Sequence, residues 1–295
     1  MRGLSEASTP TYRWSMATGW QEWTAEDAAG WISAPGAGDD KYTRGVLGVV
    51  TGSQDYPGAA VLGVEAAHRT GVGMVGVTGP RALRQAVLAR RPETVTVSGR
   101  VQAWLIGSGI DQNRRSFVLI GDLEHALADK VPVVLDAGAL DLVGTHTAPT
   151  VITPHARELA GVLTSREIRT TVEEVAADPA TWAERAAREL GVAVLLKGAV
   201  THVCDPDGSR YTVTAPTHWL ATAGSGDVLG GILGALTATH HAELASDATV
   251  LTQLGATAAW VQGEAARRAS ADVGGGPVTA LDIAQAVPGV IGSLI

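Results

Sequence analysis

Residues 220–236 read LATAGSGDVLGGILGAL. Small residues Gly224, Ser225 and Gly226 precede a carboxylate, Asp227, and an apolar run of helical length follows. Glycine lets the backbone approach a ligand closely. Consecutive N–H groups at a helix N-terminus bind anions, helped by the helix dipole. The segment can therefore cradle a phosphate. A carboxylate beside such a cradle is placed to take a proton from a hydroxyl while phosphate charge is held nearby. The alternative is that Asp227 simply caps the helix, worth about 1 kcal/mol. Capping accounts for one carboxylate. It does not account for the glycines and serine before it, or for the small first turn Val-Leu-Gly-Gly after it.

Other residues that could do chemistry sit where apolar runs end: Gly52-Ser53, Gly107-Ser108-Gly109, Asp136, Thr153-Pro154-His155 and Lys197-Gly198. In open α/β sheets, ligands bind outside the C-terminal ends of strands. One Gly-rich loop is more often a turn than a site, but six polar or Gly-rich strand ends together are harder to dismiss. His155 could equally be a helix-start histidine making a local bond, and Lys197 a solvated charge at a strand end. No G-x-x-x-x-G-K-[ST] occurs, and no G-x-G-x-x-G follows the first strand, so neither a Walker A loop nor a dinucleotide-binding Rossmann unit is indicated.

The elements that must position these residues alternate. VLGVVT (46–51) reads as a strand and 58–69 as a helix with Pro57 in its first turn. Strand 74–77 and a helix over 81–89 follow. TVTV (94–97) and AWLI (103–106) read as strands, then come a helix near 117–129, strand 131–135, and strand 151–153 leading into a helix from His155. Next are a helix over 182–190 and strand 192–196. Residues 201–204 and 210–214 form a hairpin around DPDG. Helices over 227–237, 245–268 and 279–287 close the chain. Short apolar strands without period-2 alternation suit a sheet buried on both faces, and alternation with helices makes that sheet mainly parallel. With no repeat and no linker-like stretch, the reading is one α/β domain over 41–295 behind an irregular extension, residues 1–40. Trp14, Trp20, Trp23 and Trp31 would pin that extension to the body or to an interface.

Composition sets bounds. With 45% hydrophobic and 18% charged residues, the 295-residue chain can bury a large core. A net charge of −8 disfavours nonspecific nucleic-acid binding without excluding a small anionic ligand. The one cysteine, Cys204, reads as a small core residue on a strand. The first residues have no apolar h-region, and the longest apolar stretch, 228–238, is too short to span a bilayer, so a cytoplasmic protein without membrane attachment is expected.

A set of motifs occurs in order: KYTRGVLGVVTGSQDYPGAA (41–60), IGSGI (106–110), VVLDAGAL (133–140), VITPHARE (151–158), VLLKGAVTHVCDPDG (194–208) and TAGSGD (222–227). Together they resemble the ADP-dependent (S)-NAD(P)H-hydrate dehydratase family of the ribokinase-like superfamily, over roughly 40–290. The resemblance implies a three-layer αβα sandwich with a mainly parallel central sheet. It implies a repair reaction: the S epimer of NADH or NADPH hydrated at C6 is phosphorylated on its hydroxyl at the expense of ADP, leaving AMP, and phosphate then departs to restore NAD(P)H. It carries Ala59, Gly107, Gly109, His155 and Asp227 over as substrate contacts, with Asp227 as the base. Lys197, Gly198, Ala199, Val200, Thr201, Gly224, Ser225 and Gly226 carry over as nucleotide contacts, and Glu158 as a residue that helps place Mg²⁺ through water. It further implies a homo-oligomer, a tetramer by family habit. Some relatives fuse an N-terminal epimerase, for which the residues before the match are too few, so a separate epimerase is expected as functional partner. Where the family often has Pro and a second Gly, this chain has Ser108 and Asp111, and Asp111 would repel a diphosphate unless turned away or paired. The alternative is a ribokinase-like small-molecule kinase of the thiazole or hydroxymethylpyrimidine type. YPGAA and TPHARE favour the dehydratase.

Overall fold

The structure, a computed structural model, describes residues 19–96 and 99–295. Along the chain run β1 (Gln21–Glu22), α1 (Ala25–Ala29), β2 (Val46–Val50), α2 (Pro57–Thr70), β3 (Met74–Val77), α3 (Arg81–Arg90), β4 (Ala103–Ile106), α4 (Phe117–Ala128), β5 (Val133–Leu135), β6 (Thr150–Ile152), α5 (Ala156–Ser165), α6 (Val172–Ala177), α7 (Pro179–Leu190), β7 (Ala193–Leu196), β8 (Val200–Cys204), β9 (Arg210–Thr214), α8 (Ser225–Thr239), α9 (His241–Leu244), α10 (Val250–Asp272) and α11 (Ala280–Gly292). One sheet holds all nine described strands in the order β1-β9-β8-β7-β6-β5-β4-β2-β3. Every pairing is parallel except those of β8: with β9 it makes the expected hairpin, and with β7 a second antiparallel pair that was not expected.

The strands are short and apolar because both faces are covered. Leu47 and Val49 of β2 point into a core shared with α2, α3, α8, α10 and α11, while Val46 and Val50 point into another shared with α4, α5, α6 and α7. That is the expected three-layer sandwich. From β2 the chain crosses to β3 on one side and returns to β4 on the other, so the crevice of an open sheet falls between the β2 and β4 ends. Among the described residues, no helix is long and apolar enough to cross a membrane.

Some expectations need correction. Of TVTV, Val97 lies outside the described residues, and Val95 makes only an isolated bridge to Gly76 rather than a strand. The last long helix begins at Val250, not 245, because Asp247 Oδ1 accepts from the Thr249 amide at 2.9 Å and closes a local turn. Helix α6 went unread, although Thr171 and Glu174 form a capping box there. Within the expected irregular extension, β1 and α1 are ordered elements. Trp23 is 6% exposed, stacks edge-on against Tyr211 and donates to Thr257 at 3.2 Å. Trp20 and Trp31 stack edge-on against His202 and His240. Trp14 lies outside the described residues. Cys204 is a fully buried strand residue, and burial pushes its thiol up to about 12.

Candidate active site

Helix α8 begins from Gly224, whose φ of +86° is left-handed; an added Cβ there would lie 2.4 Å from Leu62 Cδ1. The Ser225 amide donates to the Thr222 carbonyl at 3.3 Å and the Val228 amide to the Gly224 carbonyl at 3.1 Å. Between them, the amides of Gly226 and Asp227 find no acceptor among the described residues. Of the cradle expected from the sequence, then, Ser225 is tied into a turn, and the open donors are those of Gly226 and Asp227. Asp227 stands at the third helical position and its carboxylate makes no capping bond, which removes the capping alternative. From α10, Gln262 Nε2 donates to the Ser225 carbonyl at 2.6 Å and fastens this helix mouth.

Strand ends bring a charged group alongside. Asp136 follows β5 and is buried. Its Oδ2 accepts from Ser108 Oγ at 2.7 Å, and its Oδ1 from Thr153 Oγ1 and Lys197 Nζ, each at 2.8 Å. Lys197 sits at the end of β7, with Nζ 3.7 Å from Glu158 Oε2, so it is an engaged cation rather than a solvated one. Its amide donates to the Pro154 carbonyl, and His155 bridges Lys197 across the strand ends. His155 is the N-cap of α5. Its Nδ1 accepts from the Glu158 amide at 3.2 Å while Glu158 Oε2 accepts from the His155 amide at 2.8 Å. The local bond that the sequence left open is therefore made, and half of the side chain stays exposed.

These neighbours drive two carboxylates apart. Burial pushes Asp227 up to about 6 and the charge of Asp136 adds to it, against the opposing pull of Lys197 and the Ser108 hydroxyl. Burial also acts on Asp136, but the Lys197 charge and the three donated bonds outweigh it and hold Asp136 below the ordinary range. Lys197 feels burial too, and the charges of Asp136 and Glu158 hold its ammonium above the usual lysine range. Asp136 thus stays ionised and saturated, while Asp227 is free to exchange a proton near neutrality.

A cleft of about 340 Å³ opens beside the helix mouth, lined by Lys197, Gly198, Ala199, Thr201, Ser225 and Gly226 among others. Apolar Val213, Leu229 and Ala259 also line it. Val200 and Gly224, expected with this set, are not part of the lining. Val200 is exposed and pairs with Thr214, and Gly224 lies against Leu62. In the loop after β4, a side chain at Gly109 would run into the Ala59 methyl, and one at Gly107 into the Asp136 carbonyl. The Gly52 amide donates to the Ser108 carbonyl at 2.6 Å, locking the β2 and β4 loops together. Asp111 is exposed and folded onto the Asn113 amide at 2.9 Å. Ser108, read as part of a Gly-rich strand end and as a departure from the family pattern, turns out to bond Asp136. Asp136 and Thr153 were visible as polar strand ends, but their roles were not, and Gln262 carried no signal.

The described residues contain no cluster of three acidic, histidine or cysteine side chains able to hold a metal alone. Asp136 is buried and already accepts three hydrogen bonds. Glu158 keeps Oε1 free of any close bond, 3.6 Å from His155 Nε2. Mg²⁺ commonly keeps several waters and takes one or two carboxylates plus substrate phosphates, and that donor set fits here.

A family model described as NAD(P)H-hydrate dehydratase matches residues 47–289. A bifunctional NAD(P)H-hydrate repair enzyme from Mycobacterium leprae is 41% identical over 226 residues, covering 72% of this chain and 45% of the relative. An ADP-dependent (S)-NAD(P)H-hydrate dehydratase from Neisseria meningitidis is 36% identical over 215 residues, covering 67% of this chain and 71% of the relative. The solved ADP/ATP-dependent NAD(P)H-hydrate dehydratase of Bacillus subtilis, co-crystallised with ATP and Mg²⁺, shares the fold at a TM-score of 0.80 and 23% identity, covering 95% of this chain and all of that one. The chain spans about half the length of the first of these relatives.

Proposed function

The chain belongs to the NAD(P)H-hydrate dehydratase family, and from that membership we propose that it dehydrates the S epimer of NADH or NADPH hydrate with ADP as phosphoryl donor. The observation that carries the reading is Asp227, pushed up to about 6, beside two unengaged helix amides at the mouth of a cleft. Asp227 accepts the proton of the C6 hydroxyl. The hydroxyl oxygen attacks the β-phosphorus of ADP, and AMP leaves with the bridging oxygen. The Gly226 and Asp227 amides hold the transferring phosphoryl oxygens. Phosphate then departs from C6, a far better leaving group than hydroxide, and loss of a C5 proton restores the dihydropyridine.

The nucleotide lies in the cleft against Lys197, Gly198, Ala199 and Thr201, with Ser225 and Gly226 at its phosphate end. Val200 and Gly224 contribute at most through backbone. The hydrate lies toward Ala59, Gly107, Gly109 and His155. Lys197, paired to Asp136, offsets phosphate charge without competing for the hydroxyl proton. When bound, Mg²⁺ neutralises charge on the phosphates, and Glu158 would hold it through water. Under this reading the catalytic domain comprises residues 41–295 together with β1 and α1, which join the same sheet and core. The enzyme is a cytoplasmic homo-oligomer, a tetramer by family habit. Its functional partner is an epimerase that interconverts the two hydrate epimers, on the same polypeptide or another. The test is incubation with hydrated NADH and ADP or ATP while following the absorbance of restored NADH. No recovery with either nucleotide removes the reading.

A further inference from the structure

Gln262 is 7% exposed and lines the cleft from α10. Its Nε2 is committed to the Ser225 carbonyl at 2.6 Å. Its Oε1 has no partner among the described residues, yet it is absent from the fully buried unpartnered side-chain atoms, which include Gln253 Oε1. An amide oxygen that is neither bonded nor sealed off keeps access to open space, and the cleft is the open space its residue lines. Its place along the cleft is also defined. One turn earlier on α10, Ala259 joins Leu229 and Val213 in an apolar wall suited to a flat base. Ser225, whose carbonyl Gln262 engages, and Gly226 form the phosphate end of the same lining. Between base and phosphates a nucleotide presents its ribose.

We propose that Gln262 Oε1 accepts a hydrogen bond from a ribose hydroxyl of the nucleotide, while its Nε2 anchors the helix mouth that receives the phosphate. This rests on the reading that the cleft binds ADP. A site built to accept from a hydroxyl rejects the analogue lacking it, because the buried acceptor is left unpaired. The side chain also ties two jobs together: nucleotides that seat the ribose correctly find the Gly226 amide already in register.

The experiment measures equilibrium binding of ADP, 2′-deoxy-ADP and 3′-deoxy-ADP by calorimetry, on wild type and on Gln262→Leu, whose melting temperature is checked in parallel. The expected result is that wild type binds at least one deoxy analogue about five- to tenfold more weakly than ADP, and that Q262L weakens ADP by a similar factor while losing the discrimination. Q262L also removes the Nε2 bond that fastens the helix mouth, so weaker ADP binding alone would report that loss; the disappearance of discrimination between ADP and its deoxy analogues is the readout that a purely structural role would not give. Equal wild-type affinity for all three nucleotides overturns the proposal without any variant. So does discrimination that survives in Q262L. Failure of ADP to bind wild type at all would instead strike the reading of the cleft.

Discussion

Two carboxylates withdrawn from water, Glu65 and Asp227, have been given opposite fates. Glu65, on α2, has no exposed side-chain area. Burial pushes it up, but hydrogen bonds from Arg91, Arg69 and Arg90 outweigh that and hold it at about 2. Arg69 Nε lies 2.6 Å from Oε1, Arg91 Nη2 2.7 Å from the same oxygen, and Arg90 Nε 3.1 Å from Oε2. That site spends its charge on joining α2 to the end of α3. Asp227 has no such pairing. Its neighbours are a saturated carboxylate and a lysine already committed elsewhere, and burial pushes it up to about 6. The lesson is that burial alone does not set a group's behaviour; the number of donors aimed at it does. A satisfied carboxylate is structural, and an unsatisfied one at a cleft is available for proton transfer.

The sharpest way to break this comparison is Asp227→Asn. Removing the base should lower kcat by about 10²- to 10⁴-fold. The same change should stabilise the fold at pH 8. The folded value near 6 exceeds the unfolded value of 3.8, so stability falls as pH rises through that window and the whole penalty is present above it. The gain at pH 8 should be up to about 3 kcal/mol and vanish below pH 4. Denaturant midpoints at both pH values decide it; an Asn variant less stable at pH 8 would contradict the account of Asp227.

Glu65→Gln should do the reverse. It leaves three arginines around a neutral group and should cost about 3–5 kcal/mol, with both KM values and the pH–rate profile unmoved. The pH sign is opposite too. Glu65 contributes stability above its ordinary value of 4.5 and loses it as pH falls toward 2. Calorimetry together with steady-state kinetics separates the two outcomes, and altered kinetics with intact stability would mean that Glu65 is not merely structural.

A finer test uses Asp136→Asn. The wild-type acid limb of kcat/KM should lie near pH 6, where Asp227 protonates. Removing the Asp136 charge, and freeing Lys197, should move that limb to lower pH. A limb that stays in place would mean that Asp136 does not tune the base. The smallest effect belongs to charge without burial. Arg114 and Asp55 pair at 3.6 Å with both side chains largely exposed. Arg114→Ala should change stability by less than about 0.5 kcal/mol, read from the denaturant midpoint.

Much of the fold was legible because its signals are local. Strand Met74–Val77 and the hairpin around DPDG fall where apolar runs and turn residues put them. Helix α6 was equally local, and the Thr171–Glu174 spacing could have found it. Val95 was misleading because one bridge to an edge strand needs the same residue types as a full strand. At the site, Asp227 and the residues at the β7 end were readable as polar positions closing apolar runs. Which glycine amides are open was not, because Ser225 closes a turn onto Thr222 that no residue type announces.

The order of motifs, the alternation of short apolar strands with helices, and the small residues that open α8 belong to the chain itself, since each depends on neighbours a few positions away. What only folding decided is electrostatic. Lys197 meets Asp136 across 61 positions and Gln262 meets Ser225 across 37. A proton affinity is the sum of burial and of charges brought close in space, so the same carboxylate could have been another Glu65 until the sheet placed its neighbours.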